Sequence, residues 1–138
     1  MMLEVGERGT TVDDVSAHLR SVVASPNSVI FVADTGDQLA GYVEAEGGRY
    51  RRTRHSAYVV IGVRRAWHGR GVGRALLGAL EEWARIHGIR RLELTVRADN
   101  DRARRLYERA GYAAEGVRRG SLIVDEELVD EIAMARLL

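Results

Sequence analysis

Three glycines, Gly69, Gly71 and Gly73, alternate with other residues just before an apolar run that has helical spacing. Glycine costs conformational entropy, so this spacing predicts a backbone that must approach something closely. The first amide groups of a helix have no partner within the helix and carry partial positive charge, which suits an anion. Arg70 and Arg74 add two guanidinium groups to the same segment. The stretch therefore predicts a pyrophosphate-binding loop rather than a plain turn.

Features that this segment lacks exclude several classes of phosphate-containing ligand. A P-loop requires a lysine that reaches the terminal phosphates, and the chain contains no lysine. A dinucleotide fingerprint requires GxGxxG, but the sixth position is Arg74 counted from Gly69 and Leu76 counted from Gly71. A kinase glycine loop fails for the same spacing. The pattern that remains is GxGxG at the start of a helix, directly after an apolar strand.

Periodic apolar residues predict the elements that would hold this loop in place. Helical spacing covers three segments: TTVDDVSAHLRSVV with Thr11 as N-cap, Gly71–His87, and ADNDRARRLYERAGY ending at Gly111. Strand patterns cover SVIFVAD, QLAGYVEAE, SAYVVIGV, RRLELTV and, in the tail, SLIV and the residues after Asp125–Glu127, which could instead be helical. The strand–helix–strand order around the glycines requires a parallel pair, whereas the hairpins require antiparallel neighbours. The prediction is a mixed sheet with helices, α/β in class or α+β by some schemes.

Composition excludes several classes of protein. The 138 residues fit one domain, 1–138, and the net charge of +1 favours neither nucleic acid nor a membrane surface as a partner. The absence of cysteine excludes disulfides, thiolate metal sites and a cysteine nucleophile. No apolar run is long enough to span a membrane and no leader pattern is present, so a cytoplasmic location is expected. The basic run Arg49–Arg54 is interpreted as a solvated edge that could also hold an anionic part of a substrate. His18, His55 and His87 lack metal-ligand spacing, so no metal is expected.

Two segments resemble the GCN5-related N-acetyltransferase family. The family's acetyl-CoA loop is Q/R-x-x-G-x-G/A, and it is similar to His68–Gly73 here, with His68 where the family has Gln or Arg. Downstream, NDRARRLYERAGY resembles the family's N-x-x-A-x-x-L-Y-x-x-x-G-F/Y, and VDEIAMARLL is similar to its closing strand. The family opens with a strand that MMLEVGERG barely supplies, so a short or missing first strand is expected.

The resemblance implies an acyl-CoA N-acyltransferase fold: a mostly antiparallel sheet with helices on both faces and a splayed parallel pair. The pantetheine arm of acetyl-CoA fills the gap between the splayed strands, and Gly62 fits a bulge or a close approach there. It also implies two catalytic groups, the amide of Val63 on the thioester carbonyl and the phenol of Tyr107 on the leaving thiolate. Asn100 would contact the pantetheine arm or cap the next helix. The residues implied in cofactor binding are Ile61, Val63, His68, Gly69, Arg70, Gly71, Val72, Gly73, Arg74, Asn100 and Ala103.

The function implied is acetyl transfer from acetyl-CoA to a primary amine by direct attack in a ternary complex, since a thiol relay is impossible without cysteine. A small molecule such as an amino acid is the expected acceptor. A protein N-terminus or a lysine is one alternative, and a non-catalytic CoA-binding sensor is another. The residues leave the general base open among Glu44, Glu46, Glu93, Asp130 and water. The exposed terminal strands are compatible with a homodimer.

Overall fold

The computed structural model describes the backbone of residues 12–138 and the side chains from Ser16 onward. Within these residues the chain forms three α-helices, α1 (Val12–Ala24), α2 (Val72–Ile86) and α3 (Asp101–Arg109), with a 3₁₀ turn over Arg65–Trp67. It also forms six strands: β1 (Val29–Asp34), β2 (Leu39–Gly47), β3 (Ser56–Val63), β4 (Arg91–Arg97), β5 (Ala113–Val124) and β6 (Glu127–Leu137). The predicted N-cap Thr11 and the opening strand lie outside the described residues.

The six strands form one sheet in the order β1-β2-β3-β4-β6-β5. All neighbours are antiparallel except β3 and β4. These two strands pair only over Ser56–Tyr58 and Arg91–Glu93, whereas β4 continues to pair with β6 as far as Arg97. A gap therefore opens between β3 and β4 beyond Tyr58, and the predicted splayed parallel pair is confirmed.

Helices cover both faces of this sheet, as the resemblance implies. Successive residues of a strand point to opposite faces. On β2, Val43 is fully buried in a core that includes Leu80 of α2 and Tyr107 of α3. Its neighbour Glu44 points to the other face, where it contacts His18 of α1. The sheet is therefore packed against α2 and α3 on one face and against α1 on the other.

Glycines and a capping asparagine mark the ends of α2 and α3, close to the positions predicted from the sequence. Gly88 follows α2 with φ 76° and Gly111 follows α3 with φ 95°, the left-handed conformation typical of a helix C-terminus. Asn100 caps α3, because its Oδ1 accepts a hydrogen bond from the amide of Ala103 at 3.2 Å. The predicted capping role of Asn100 is thus confirmed.

The tail differs from the prediction in its first strand. β5 begins at Ala113, eight residues before the predicted start at Ser121, and it pairs with β6 along much of its length. The residues from Ala113 to Arg119 are all exposed, so no alternation of apolar and polar residues marks them in the sequence. The helical alternative for the last segment is wrong, since Glu127–Leu137 is a strand. Asp125 and Glu126, both with positive φ, make the tight turn between β5 and β6.

Candidate active site

The gap between β3 and β4 is lined on one side by backbone groups of β3. The amide of Arg64, just after β3, donates to the carbonyl of Ala40 at 2.8 Å, so it points toward β2. Backbone groups alternate in direction along a strand, so the amides of Ile61 and Val63 point the other way, into the gap. Because β4 pairs with β3 only as far as Tyr58, this edge is free to receive an extended ligand as an added strand.

The predicted bulge at Gly62 is absent from the pairing of β3 with β2. Gly62 lies directly opposite Tyr42 in an unbroken register. A Cβ on Gly62 would lie 2.8 Å from Cε1 of Tyr42, so the aromatic ring lies across the glycine. The close approach that the sequence predicts at Gly62 is therefore made by a side chain of the neighbouring strand.

The glycine loop follows at the end of the same strand, and its glycines have two different causes. Gly69 (φ 73°) and Gly71 (φ 82°) adopt the left-handed conformation that disfavours other residues. Gly73 has an ordinary φ, but a Cβ there would lie 2.8 Å from Cδ2 of Leu106 on α3. Gly71 is the N-cap of α2, and the first helical hydrogen bond runs from the amide of Ala75 to its carbonyl. The amides of residues 72–74 are therefore left at the start of the helix for an anion.

The side chains around this loop give it positive charge. Arg70 and Arg74 are both exposed, and among the described residues neither forms an ion pair. The guanidinium of Arg70 lies over the ring of Trp67, 4.9 Å from its centroid. Arg102 of α3 approaches from the other side, with Nη2 3.6 Å from a Cβ built on Gly69. Free guanidinium groups beside unpaired helix amides make a site suited to a pyrophosphate.

His68 has a structural role that the sequence did not predict. Its Nε2 lies 3.0 Å from the carbonyl oxygen of Val63, and its Nδ1 lies 2.9 Å from Nη1 of Arg102. A guanidinium can only donate, so Nδ1 accepts and Nε2 donates to the carbonyl. The ring thus ties the end of β3 to the start of α3. Arg102 is 34 residues further along the chain, so no local pattern predicts the contact.

Tyr107 lies in the core on the α2 and α3 side of the sheet, with 8% of its surface exposed. Burial raises the pKa of its phenol to about 12, and the neighbouring phenol of Tyr58 acts in the same direction. The phenol is therefore protonated at neutral pH and able to donate a proton. Its ring centroid is 6.0 Å from that of Tyr112, whose phenol has its pKa raised by burial as well.

A second tyrosine spans the point where the strands separate. Tyr58 is the last residue of β3 that pairs with β4, opposite Glu93. Its hydroxyl lies 2.9 Å from Oγ1 of Thr95, two residues further along β4 and on the same face. This hydrogen bond crosses the narrow end of the gap. No pattern in the sequence predicts a role for either residue, because they lie 37 positions apart.

The four carboxylates predicted as candidate bases have different surroundings. Glu93 accepts a hydrogen bond from Nε of Arg91 at 2.8 Å. Asp130 accepts from the amide of Gly120 at 2.7 Å, between β6 and β5. Asp130 thus links β6 to β5, whereas Glu93 is paired with a residue of its own strand. The side chain of Glu46 is 54% exposed.

Glu44 is the buried member of this set, with 6% of its surface exposed. Its Oε1 lies 2.6 Å from Nε2 of His18. Burial raises the pKa of Glu44, Glu46 acts in the same direction, and the hydrogen bond with His18 acts against both. One ligand atom from each of His18, Glu44 and Glu46 lies within 4.8 Å of the others, a donor set of the kind that holds metal ions. The spacing of the histidines along the sequence gives no sign of this group, because its two carboxylates lie on β2, far from His18 in the chain.

The basic run Arg49–Arg54 lies at the other end of β3 from the glycine loop. Arg49, Arg51 and Arg54 are exposed and line a cavity of about 770 Å³ together with residues at the ends of α1 and α2. This surface precedes β3, whereas the loop follows it, so the two basic regions are separate. Among residues 12–138, no helix is both long and apolar enough to cross a membrane.

Known proteins that resemble this chain in structure and in sequence show its fold class and its family. The fold is that of the GNAT acyltransferases: the acetyltransferase of the GNAT family from Streptococcus pneumoniae superposes with a TM-score of 0.88 at 29% identity, covering 93% of this chain and 77% of that one. The family model described as "Acetyltransferase (GNAT) family" matches residues 6–112, and the chain belongs to this family.

Two further relatives bear on the site. The N-alpha-acetyltransferase RimI of Mycobacterium tuberculosis is 43% identical over 99 residues, which are 70% of this chain and 60% of the relative. The chain therefore spans about 60% of the length of that curated relative. The acetyltransferase yncA of Salmonella typhimurium, solved with its cofactor acetyl-CoA, has a TM-score of 0.86 at 21% identity, covering 95% of this chain and 76% of that one. At that identity the likeness shows a shared fold.

Proposed function

We propose that this protein transfers an acetyl group from acetyl-CoA to a primary amine. The observation that carries the proposal is the free edge of β3, which runs directly into a helix start with two left-handed glycines and unpaired arginines. An extended pantetheine arm would pair with the free edge, and its pyrophosphate would lie on the loop Gly69–Arg74. The acetyl-CoA complex of the Salmonella relative, which has the same fold, supports this assignment.

The proposed chemistry uses the backbone amide of Val63 and the phenol of Tyr107. The amine nitrogen attacks the thioester carbonyl carbon, the C–N bond forms, and the C–S bond breaks with its electron pair leaving on sulfur. The amide of Val63 points into the gap and would donate to the carbonyl oxygen as negative charge develops on it. The protonated phenol of Tyr107 would give its proton to the leaving thiolate, and the proton that the amine nitrogen loses would restore the phenol. No covalent enzyme intermediate is required, in agreement with the absence of cysteine.

For the acceptor we propose the α-amine of a peptide or protein N-terminus. The sequence analysis placed a small molecule such as an amino acid first, and the N-alpha-acetyltransferase RimI, as the curated relative, supports a protein N-terminus instead. A free amino acid is the second candidate, since it carries the same α-amine. We further expect residues 1–138 to act as one domain in the cytoplasm, without nucleic acid or membrane as partner.

The test is an acetyl-transfer assay that reads free thiol as CoA is released. One peptide is offered in two forms, with a free N-terminus and with a blocked N-terminus but an internal lysine, beside a panel of free amino acids. We expect thiol release with the free N-terminus and none with the blocked peptide. Equal turnover of both forms would assign the lysine instead, and tight acetyl-CoA binding without turnover of any amine would favour a sensor.

A further inference from the structure

The cavity of about 770 Å³ at the end of the sheet where β3 begins has an excess of positive charge. Arg49, Arg51 and Arg54 of the loop between β2 and β3 line it, and all three residues are exposed. Among the described residues, none of these three arginines forms an ion pair. Of the described residues that line the cavity, only Glu46 carries a carboxylate. An anionic ligand would therefore offset the charge of this cavity.

Hydrogen bonds fix the backbone of the loop that carries these arginines. Nδ2 of Asn27 donates to the carbonyl of Gly48 at 3.0 Å and to the carbonyl of Arg54 at 3.3 Å, so one side chain ties both ends of the loop. The amide of Gly48 also donates to the carbonyl of Ser56 at 2.9 Å, which closes the loop at its base. Because this backbone is ordered before a ligand binds, the entropic cost of binding there is reduced.

The cavity begins next to the narrow end of the gap between β3 and β4. Glu46 lines the cavity and is opposite Tyr58 in the β2–β3 register, and Tyr58 is the last β3 residue that pairs with β4. Glu46 lies on the face that α1 covers, since its Oε1 is 3.6 Å from Nε2 of His18. The start of α2, where the pyrophosphate would bind, belongs to the other face, which leaves the α1 face for the acceptor. An acceptor that enters the gap from this face therefore passes beside the cavity.

The order of charges along this path matches a peptide that enters with its amine first. Val63, whose amide would bind the thioester carbonyl, lies five residues along β3 from Tyr58, which is about 17 Å at the rise of a strand. An extended acceptor has the same rise, so its sixth residue would reach Tyr58 when its N-terminus is at the thioester. The residues that follow would lie at the cavity, where the arginines suit acidic side chains.

We propose that this cavity binds an acidic segment of the acceptor polypeptide, at about its sixth to ninth residues, and so selects which N-termini are acetylated. The inference rests on the proposed function and deepens it, because it names the substrate class. A guanidinium can donate two parallel hydrogen bonds to a carboxylate, so successive acidic residues would engage Arg49, Arg51 and Arg54 together. The net charge of +1 and the position of the cavity beside the path of the acceptor favour an acidic peptide over nucleic acid.

Three peptides of equal length with a free N-terminus test the proposal. The first has glutamates at its sixth to ninth positions, the second has glutamines there, and the third has the four glutamates six positions further on. Acetylation is measured as thiol release, and binding as the fluorescence anisotropy of labelled peptide without acetyl-CoA. We expect the first peptide to have a KM about 5–20-fold lower than the other two at the same kcat, because these contacts do not change during the reaction. Added salt should reduce this preference.

Arg51→Gln removes one of the charges that line the cavity. It should raise KM for the glutamate peptide by about two- to fivefold and leave KM for the glutamine peptide unchanged, and adding Arg49→Gln should increase the effect. Arg52→Gln is the matched control, because Arg52 is the next residue of the same loop and equally exposed, but it does not line the cavity. We expect Arg52→Gln to keep both KM values.

Equal KM values for the three peptides, or an equal loss in Arg51→Gln and Arg52→Gln, would overturn the inference and leave the acetyltransferase assignment intact. Binding of the glutamate peptide through Arg51 without acetylation of any amine would refute the proposed function and retain the cavity as an acidic-peptide site. An RNA oligonucleotide that binds through Arg49 and Arg51 where the glutamate peptide does not would overturn the inference in favour of nucleic acid.

Discussion

Gly71→Ala is expected to weaken the binding of acetyl-CoA without removing any side chain that could touch it. Gly71 is the N-cap of α2, with φ 82° and ψ 7°. A residue with a Cβ is less stable in this left-handed conformation by about 1–2 kcal/mol. A Cβ at Gly71 would meet no atom within 4 Å, so the whole effect is conformational rather than steric. Rotating the backbone relieves the strain, but it turns the amides of residues 72–74 away from the anion.

Gly78→Ala is the control, because it makes the same change in a different backbone conformation. Gly78 is an exposed residue inside α2, and a Cβ there also meets nothing within 4 Å. Alanine stabilises a helix interior by about 0.5–1 kcal/mol relative to glycine. The two substitutions should therefore change the free energy of unfolding in opposite directions.

Urea unfolding and calorimetric titration with acetyl-CoA measure the two effects separately. If the loop keeps its conformation, we expect Gly71→Ala to lower the free energy of unfolding by about 1–2 kcal/mol. If the loop rearranges to relieve the strain, the same energy lowers the affinity for acetyl-CoA by about 5–30-fold. Gly78→Ala should raise the free energy of unfolding and leave affinity unchanged. Wild-type affinity and wild-type stability together in Gly71→Ala would refute the loop as the pyrophosphate site.

Two further predictions concern α3. Asn100→Ala should lower the free energy of unfolding by about 0.5–2 kcal/mol because the amide of Ala103 loses its cap; urea unfolding measures this, and a fully stable variant would contradict it. Burial raises the pKa of Tyr107 to about 12, whereas an unfolded phenol ionises near pH 10, so stability should fall as pH rises between these values. Urea unfolding at pH 9 to 11.5 should show that the free energy of unfolding falls less steeply with pH in Tyr107→Phe than in the wild type. If both proteins show the same slope, another group causes the pH dependence.

The parts of the site that the sequence predicted depend on local signals. The left-handed glycines of the loop, the cap by Asn100 and the glycines that end α2 and α3 each follow from the conformation of a few adjacent residues. The splayed pair could be predicted as well, because it follows from the family resemblance. Gly73 was predicted as part of the loop, but it lies in the first turn of α2, and the side chain that requires a glycine there is Leu106, 33 residues further along the chain.

The parts that were missed depend on contacts between distant segments. The hydrogen bonds between His68 and Arg102, between Tyr58 and Thr95 and between His18 and Glu44 join residues 26 to 37 positions apart. No pattern within one element contains them. The start of β5 was missed for another reason: its first residues are exposed, so their strand conformation comes from pairing with β6 rather than from burial.

The turnover number of Tyr107→Phe tests the central claim most directly, that the buried phenol protonates the leaving thiolate. The ring and its packing are kept, so acetyl-CoA affinity should stay at the wild-type value while kcat falls by about 10²–10⁴-fold. Tyr112→Phe is the matched control, since that phenol is also buried and its ring lies 6.0 Å from that of Tyr107. We expect Tyr112→Phe to retain kcat. An unchanged kcat in Tyr107→Phe, or an equal loss in both variants, would contradict the account.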